Sequence, residues 1–277
     1  MDLIQTTAQI LEQEEPHDKT TFWASESETM SFEIYHRWIG TPPTNPIKAD
    51  KQVLMNAGKM LEESLVHKWQ KAGVAKAQQE NQIRVELTRK GAPISGYVDA
   101  VHVDGYPIEV KSFYGYYQKR DLEQRNARTS YLKQLCVYMD ALNQEKGKLF
   151  YMERGDGTMF EFDVVRNSQY KFTCGHIHID MEEVYDRWAK LYTDYILKEI
   201  EPPIAYRYKI PPSEIDWSKQ SKADIKKARA NQKVIGDHPW AIQYSGYKDL
   251  ILERQGTTPG YTDEELELIK KYTQHLI

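Results

Sequence analysis

The sequence predicts an α/β fold: a central mixed β-sheet flanked by helices, with helical additions at both ends. Three observations carry this. Residues 51–71 place Leu54, Leu61, Leu65 and Trp69 at helical spacing. Three β-prone runs follow, at 82–87, 96–103 and 106–111, and Asp104-Gly105 between the last two is a hairpin signal. The elements run helix, three strands, helix, strands, helix, an order that packs as one sheet between helical layers.

Residues 1–24 read as a helix or a partly ordered arm, 27–39 as a short helix, and 40–46 (G-T-P-P-T-N-P) as a break. The helix over 51–71 stops at Gly73, where a glycine ends it cheaply. After the three strands, 121–142 reads as one helix with Leu132, Leu135, Val137 and Met139 as its apolar residues. Strands are expected at 148–153 and 158–165 around Gly155-Asp156-Gly157, and another over 171–179. A long amphipathic helix over 181–200 ends at Pro202-Pro203. The expected division is an arm at 1–50, a core at 51–204 and a helical or loop appendage at 205–277.

Composition bounds the function. The 277 residues are 40% hydrophobic and 28% charged, values of a globular protein in water. No apolar run approaches the roughly 18 residues of a membrane span, so no membrane partner is expected. The first 16 residues lack the basic-then-apolar pattern of a secretory signal. Two cysteines, Cys136 and Cys174, without C-x-x-C spacing, make neither a disulfide framework nor a thiolate metal site. A cytoplasmic location is the expectation. The formal net charge of −4 does not itself point to nucleic acid. Locally, however, Lys119, Arg120, Arg125, Arg128 and Lys133 interleave with Phe113, Tyr114, Tyr116, Tyr117 and Tyr131, and a second basic run spans 219–233.

The informative stretch is 96–112, G-Y-V-D-A-V-H-V-D-G-Y-P-I-E-V-K-S. Strand alternation puts Glu109 and Lys111 on one face, with Ile108 and Val110 on the other. The Asp104-Gly105 turn returns the strand of Asp99 beside that of Glu109. Two carboxylates and an ammonium then meet at one place. Clustered acids repel unless neutralised, and a divalent cation with hard oxygen ligands does this. Lys111 cannot ligate while protonated, but it can orient a water or stabilise charge on a phosphate. A bare E-x-K is common on surface hairpins; the apolar strand and the returning aspartate set this one apart.

These residues resemble the D…E-x-K core of the PD-(D/E)xK nuclease superfamily, with Asp99, Glu109 and Lys111 at the three signature positions. The leading glycine of Gly96-x-x-Asp99 and the Gln134-x-x-x-Tyr138 motif resemble its RecB and lambda-exonuclease branch. Gln134 and Tyr138, four apart, share one helix face, where an amide and a phenol suit phosphate and sugar contacts. Upstream, Gly58 followed four residues later by Glu62 resembles the helix that completes the family's metal site, and Glu62 leans toward the apolar face of its helix. Glu86 is a weaker acidic candidate. The resemblance implies a restriction-endonuclease-like core, a Mg²⁺ or Mn²⁺ ion held by Glu62, Asp99, Glu109 and the Val110 carbonyl, and Lys111 assisting water. Gln134 and Tyr138 would position the strand. Nucleic acid would meet Tyr116, Tyr117, Lys119, Arg120, Arg125, Arg128, Gln134 and Tyr138, with bases on tyrosines and phosphates on cations.

The C-terminal segment Trp240-A-I-Q-Tyr244-S-G-Tyr247-K-Asp249-L-Ile251 resembles the aromatic and acidic frame of the iron–sulfur-containing CRISPR-adaptation exonucleases. Ile242, Ser245 and Ile251 stand at its cysteine places, and Ser31 at the upstream one. Aliphatic side chains cannot bind iron, so no iron–sulfur cluster is expected, and apolar packing by Ile242 and Ile251 should hold this segment instead. The pair His176 and His178 lacks a third ligand nearby. His67, His102 and His238 read as surface or supporting histidines, and Cys136 as a packed residue.

The expected function is a Mg²⁺- or Mn²⁺-dependent deoxyribonuclease, an exonuclease by analogy with the branch. It would act on single-stranded DNA or duplex ends in recombination, repair, replication or phage-type pathways. Recombination or replication proteins are the expected protein partners, and both a monomer and a ring-type homo-oligomer fit. The alternative is a catalytically silent DNA-binding or scaffold subunit of a recombination or defence complex. A small-molecule enzyme is disfavoured by the lack of any phosphate loop or nucleotide fingerprint.

Overall fold

The computed structural model describes residues 20–77, 82–204, 212–231, 242, 244–255 and 262–273. In chain order the elements are β1 (Phe22–Trp23), α1 (Ser31–Trp38), α2 (Ala49–Lys71), β2 (Ile83–Arg89), β3 (Ala92–Val98), β4 (Ala100–Val101) and β5 (Pro107–Phe113). Then come α3 (Tyr116–Glu123), α4 (Thr129–Ala141), β6 (Lys146–Glu153), β7 (Met159–Ser168), β8 (Lys171–Cys174), β9 (Ile177–Asp180) and α5 (Met181–Leu191). The last are α6 (Lys222–Asn231), α7 (Lys248–Gln255) and α8 (Asp263–Thr273). The chain forms two compact units. One holds the described residues up to Thr29, Trp38–Gly40 and Ile47–Glu201; the other holds Met30–Arg37, Thr41–Pro46 and the described residues from Pro202 onward.

The first unit is the expected mixed α/β core. Its main sheet is six-stranded, in the order β4-β5-β6-β7-β8-β9, with β5 and β6 parallel and the other neighbours antiparallel. A second sheet runs β1-β3-β2. Helix α2 covers one face of β5: Val66, Leu65 and Trp69 pack with Ala100, Tyr106, Ile108, Val110 and Phe150. Helix α4 covers the opposite face and approaches β6 closely, because a Cβ on Gly147 would lie 2.9 Å from Met139 Sδ. Each such fully buried apolar side chain contributes roughly 1.5–3 kcal/mol.

Several expected boundaries shift, each for a local reason. The strand expected over 96–103 begins at Ala92 and is interrupted at Asp99, where the chain passes from the small sheet to the large one. Lys90 and Gly91, with φ of 50° and 86°, close the β2–β3 hairpin, so the partner of β3 is β2. The β4–β5 loop has three residues, Val103 to Gly105, between His102 and Tyr106, whose backbones pair at 2.9 Å. Gly105 takes the positive φ of 99° that this loop needs.

The helix expected over 121–142 is two helices. Arg125 adopts a φ of 63°, and the chain turns before Arg128 caps α4 in an extended conformation. The strand expected over 171–179 is a hairpin around Gly175, whose φ is 58°. The helix expected from 181 starts where Asp180 caps it by accepting from Glu182 N at 2.9 Å, and its last turn, Tyr192–Ile196, widens to π-helical. Of the arm expected over 1–24, residues 1–19 lie outside the described residues, and Phe22–Trp23 is a strand paired parallel with β3.

In the second unit, Ile242 and Ile251 are buried against Met30, Phe32 and Tyr247. Two of the three cysteine places are therefore apolar core, beside the residues that flank Ser31. Ser245 is buried too, its hydroxyl accepting from Tyr247 N at 3.0 Å. Trp240 lies outside the described residues. A separate small cluster joins Ile215 and Ile269 with Trp217 and Leu266.

Candidate active site

The site forms where β5 outruns its neighbour β4. Strand β4 pairs with Pro107 and Ile108 and ends, so the next amides on that edge need other acceptors. Carboxylates supply them. Asp99 Oδ2 accepts from Val110 N at 2.8 Å, and Glu62 Oε1 accepts from Ser112 N at 2.7 Å. The other Asp99 oxygen accepts from Gln82 Nε2 at 2.7 Å. In an extended strand the N–H and C=O of one residue face the same edge, so the Val110 carbonyl faces the edge where Asp99 sits.

Glu109 projects to the α4 side of β5 and is 0% exposed. It forms an ion pair with Lys111, whose side chain keeps 20% of its surface exposed. Apart from that ion pair, neither Glu109 oxygen has a hydrogen-bond partner among the described residues. Burial pushes the Glu109 carboxyl well above the usual carboxylate range, and the charges of Asp99 and Glu62 push it further, against the pull of Lys111. Glu62 is raised as well, first by burial, with Lys111 and the Ser112 hydrogen bond opposing. Burial works against the Lys111 ammonium, but Glu109, Asp99 and Glu62 together outweigh it and hold the proton on. Three carboxylates thus share one ammonium, an excess of negative charge that a proton or a cation would relieve.

Two glycines make this assembly possible. A Cβ on Gly58 would lie 2.8 Å from Ser112 Oγ, so a side chain there would push the Ser112 hydroxyl out of its place between α2 and β5. A Cβ on Gly96 would lie 2.6 Å from Tyr138 Cε1, so the Tyr138 ring rests against β3 in the space that Gly96 leaves. Gly96 and Tyr138 are therefore a matched pair, while Gly58 admits Ser112, the residue whose amide meets Glu62.

Gln134 and Tyr138 are both buried, and Gln134 Nε2 donates to Tyr138 Oη at 2.8 Å. Burial raises the Tyr138 phenol well above its usual range, and the charges of Glu109 and Asp99 raise it further. In this structure both side chains are buried, with Tyr138 against Gly96 of β3. Glu86 is exposed and ion-pairs with Arg84 at 2.7 Å.

The aromatic and basic residues are distributed unevenly. Tyr116 and Tyr117 are exposed, edge to face at 5.8 Å, with the Arg120 guanidinium 5.5 Å from the Tyr117 ring. Lys119 forms an ion pair with Asp156 and donates to Thr158 Oγ1 at 2.9 Å, which clips α3 to the β6–β7 turn. Arg125 lies over the ring of Phe162 at 4.3 Å. Arg128 and Lys111 sit 5.9 and 5.4 Å from the Tyr131 ring, so Tyr131 links the basic stretch to the cluster. His176 bonds Asn126 at 3.1 Å.

Gln82, Ser112 and Arg154 complete the surroundings, and no sequence motif points to them. Gln82 and Ser112 act through contacts set only by the sheet register, which no motif encodes.

The donors suit a hard divalent cation: carboxylate oxygens of Glu62, Asp99 and Glu109, with the Val110 carbonyl on the same edge. The buried Glu109 carboxylate, balanced by a single ammonium, is the atom group that fits such an ion best. Among the described residues no three His, Cys, Asp or Glu side chains already form a metal cage. Each carboxylate is instead engaged by a protein donor or by Lys111.

No protein-family model matches this chain, and no curated protein matches it. Solved structures do. The chain is similar to the crystal structure of SSO0001, with 14% identity, a TM-score of 0.45, and coverage of 72% of this chain and 87% of that one. LHK-Exo in complex with dAMP has 14% identity and a TM-score of 0.43, over 66% of this chain and 90% of that one. The alkaline exonuclease LHK-Exo from Laribacter hongkongensis has 13% identity and a TM-score of 0.39, over 71% of this chain and 94% of that one.

Proposed function

We propose that the protein is a divalent-metal-dependent DNA nuclease of the PD-(D/E)xK type, an exonuclease acting on DNA ends or single strands. The observation that carries this reading is Glu109: a fully buried carboxylate, flanked by Asp99 and Glu62, with one ammonium to balance all three. Burying such charge costs several kcal/mol and is kept where chemistry uses it.

Glu62, Asp99, Glu109 and the Val110 carbonyl would hold the ion. When bound, Mg²⁺ or Mn²⁺ supplies Lewis-acid polarisation of a phosphoryl oxygen and a more acidic water. Lys111, held protonated at the mouth of the cluster, donates hydrogen bonds to the water or to the phosphate. In the hydrolysis, the water oxygen bonds to phosphorus and its proton passes to solvent, while the bond from phosphorus to the leaving sugar oxygen breaks and that oxygen takes a proton from solvent. Tyr138, bonded by Gln134 and seated in the space that Gly96 leaves, supports the strand that leads into Asp99. Tyr131, between Lys111 and Arg128, offers an aromatic face on the approach to the cluster.

A second reading, a silent DNA-binding or scaffold subunit, draws on the Lys111–Glu109 ion pair and the lack of a ready cage among the described residues. One experiment separates the two. Labelled single- and double-stranded DNA is incubated with Mg²⁺ or Mn²⁺ and wild type, Asp99→Ala or Lys111→Ala. Cleavage by wild type and not by the variants supports the nuclease. Cleavage surviving both substitutions sinks the site, and DNA retention without any cleavage favours the scaffold.

A further inference from the structure

Arg154 lies at the notch between Gly58 and Ser112, Tyr114 follows Ser112 by two residues, and neither is used by the chemistry above. Arg154 follows β6, its amide donating to Phe113 O at 2.8 Å. Its Nη1 donates to the Leu54 carbonyl of α2 at 2.8 Å, and its Nε is buried without a hydrogen-bond partner among the described residues. The guanidinium borders the notch at Gly58: the point a Cβ would occupy there is 3.7 Å from Arg154 Nη1 and 2.8 Å from Ser112 Oγ. Ser112 is the residue whose amide meets Glu62. A cation therefore stands one notch from the carboxylates, tied down on one side and unsatisfied on another.

Tyr114 is 75% exposed, and its ring covers Gly155, where a Cβ would lie 3.3 Å from Tyr114 Cε2. The ring makes no contact with another ring among the described residues, unlike Tyr116 and Tyr117, which meet each other. The backbones beside both residues share one acceptor. Glu153 is buried and accepts from Gly115 N at 3.4 Å and Asp156 N at 2.6 Å, and also from Gly155 N. One carboxylate thus anchors the residue after Tyr114 and the residue after Arg154, and its own charge is spent on amides.

We propose that Tyr114 and Arg154 form a nucleotide subsite, in which the guanidinium takes a phosphate and the phenol ring stacks on an unpaired base of the same strand. The proposal rests on the reading of the cluster as a DNA-hydrolysing site and assigns two residues to its choice between single strands and duplex ends. A base can lie on Tyr114 only when it is unstacked and unpaired, so the subsite selects single-stranded DNA next to the bond that is cut.

The test is binding of a fluorescein-labelled oligodeoxythymidylate to the full chain in Ca²⁺, by anisotropy across a salt series. An oligonucleotide carrying one abasic position at successive places is measured alongside. We expect Tyr114→Ala to weaken binding about tenfold, while Tyr114→Phe stays near wild type. One abasic position should weaken binding to wild type and leave Tyr114→Ala indifferent. Arg154→Gln should flatten the salt dependence by about 0.7 in log–log slope, one phosphate contact on a single strand, and Arg154→Lys should restore the slope. Unchanged affinity, slope and abasic profile in Tyr114→Ala and Arg154→Gln would overturn the subsite. So would equal losses in the Phe and Lys variants together with a lowered Tm, since that marks a structural role through Leu54 and Gly155. A wild type that binds but does not cleave in Mg²⁺ or Mn²⁺ defeats the nuclease reading, and the binding series still judges the subsite.

Discussion

Asp99 and Glu62 accept hydrogen bonds from the amides of Val110 and Ser112, at 2.8 and 2.7 Å, on the same open edge of β5. They come from different elements, the end of β3 and the middle of α2. The strand edge that would otherwise carry unpaired amides thereby gathers acids around Glu109. The same two bonds serve folding and place the charges, so substitutions can separate the roles.

Asp99→Asn keeps the size and one acceptor oxygen for Val110 N but removes the charge. We expect stability within about 1 kcal/mol of wild type, the scale of one net hydrogen bond. Metal-dependent cleavage should fall by about two to three orders of magnitude, the usual loss for a group that stabilises transition-state charge. Thermal melts and single-turnover cleavage measure the two. A variant that melts normally and cleaves at the wild-type rate removes Asp99 from the site.

Lys111→Met removes the ammonium and leaves Glu109 buried among like charges. At neutral pH we expect a loss of about 3–5 kcal/mol, the cost of stranding a buried charge. The pH dependence follows from the raised carboxyl. Folded Glu109 holds its proton above the ordinary value of 4.5, so between 4.5 and the raised value the folded state binds more protons than the unfolded one. Its contribution to stability is full below 4.5 and fades as pH rises through the raised value. Without Lys111 that value climbs further, so the Tm gap between variant and wild type should narrow on acidification. A gap independent of pH between neutrality and pH 4.5 would mean that Glu109 is not the group left stranded.

Much of this site was legible because its parts are local. Glu109 and Lys111 alternate on one strand, Asp99 returns through a short hairpin, and Gly58 precedes Glu62 by one helical turn. Those relations need only the periods of strand and helix. The burial of Gln134 and Tyr138 was not legible. Amide and phenol read as a groove-facing pair from their spacing, whereas α4 lies between the two sheets and is buried on nearly every side. Nor was the interruption at Asp99, which arises because β3 finds its partners in β1 and β2 and only its continuation joins β5. The break between α3 and α4 was hidden for a different reason: Arg125, an ordinary helix former, takes a left-handed conformation there. Arg154 and Gln82 carry no motif at all, and only tertiary contact brings them to the cluster.

Gly96→Ala should be costly out of proportion to one methyl. Its Cβ would stand 2.6 Å from a ring carbon of Tyr138, well inside contact distance, and a buried ring cannot swing away. Overpacking of this kind costs about 1–3 kcal/mol. Combining it with Tyr138→Leu should remove the closer of the two tight contacts, leaving Ala24 Cβ at 3.0 Å, so the double variant should be more stable than the sum of the singles predicts. A double-mutant cycle by urea melts reads this coupling, and strict additivity would mean that the two positions do not meet.

Asp140 offers a control for the reverse case, a buried carboxylate with no cation left to seek. Arg89 holds it with two bonds, of 2.7 and 2.9 Å, Tyr185 donates at 2.9 Å, and Arg166 approaches to 3.4 Å. Its charge is balanced by guanidinium groups and a phenol, whereas that of Glu109 has a single ammonium against two more acids. Titrating Mg²⁺ or Mn²⁺ in thermal melts should therefore raise the Tm of wild type and of Asp140→Asn alike. Saturation at a hundredfold excess over Kd is worth about 2.7 kcal/mol, or several degrees in a chain of this size. Asp140→Asn should start lower, having lost a charge-assisted network. Glu109→Gln should show no metal-dependent rise, because the buried oxygen donor with no other partner is the one the ion would take. A full metal shift in Glu109→Gln would move the ion's site away from β5, and the loss of the shift in Asp140→Asn would move it toward α4.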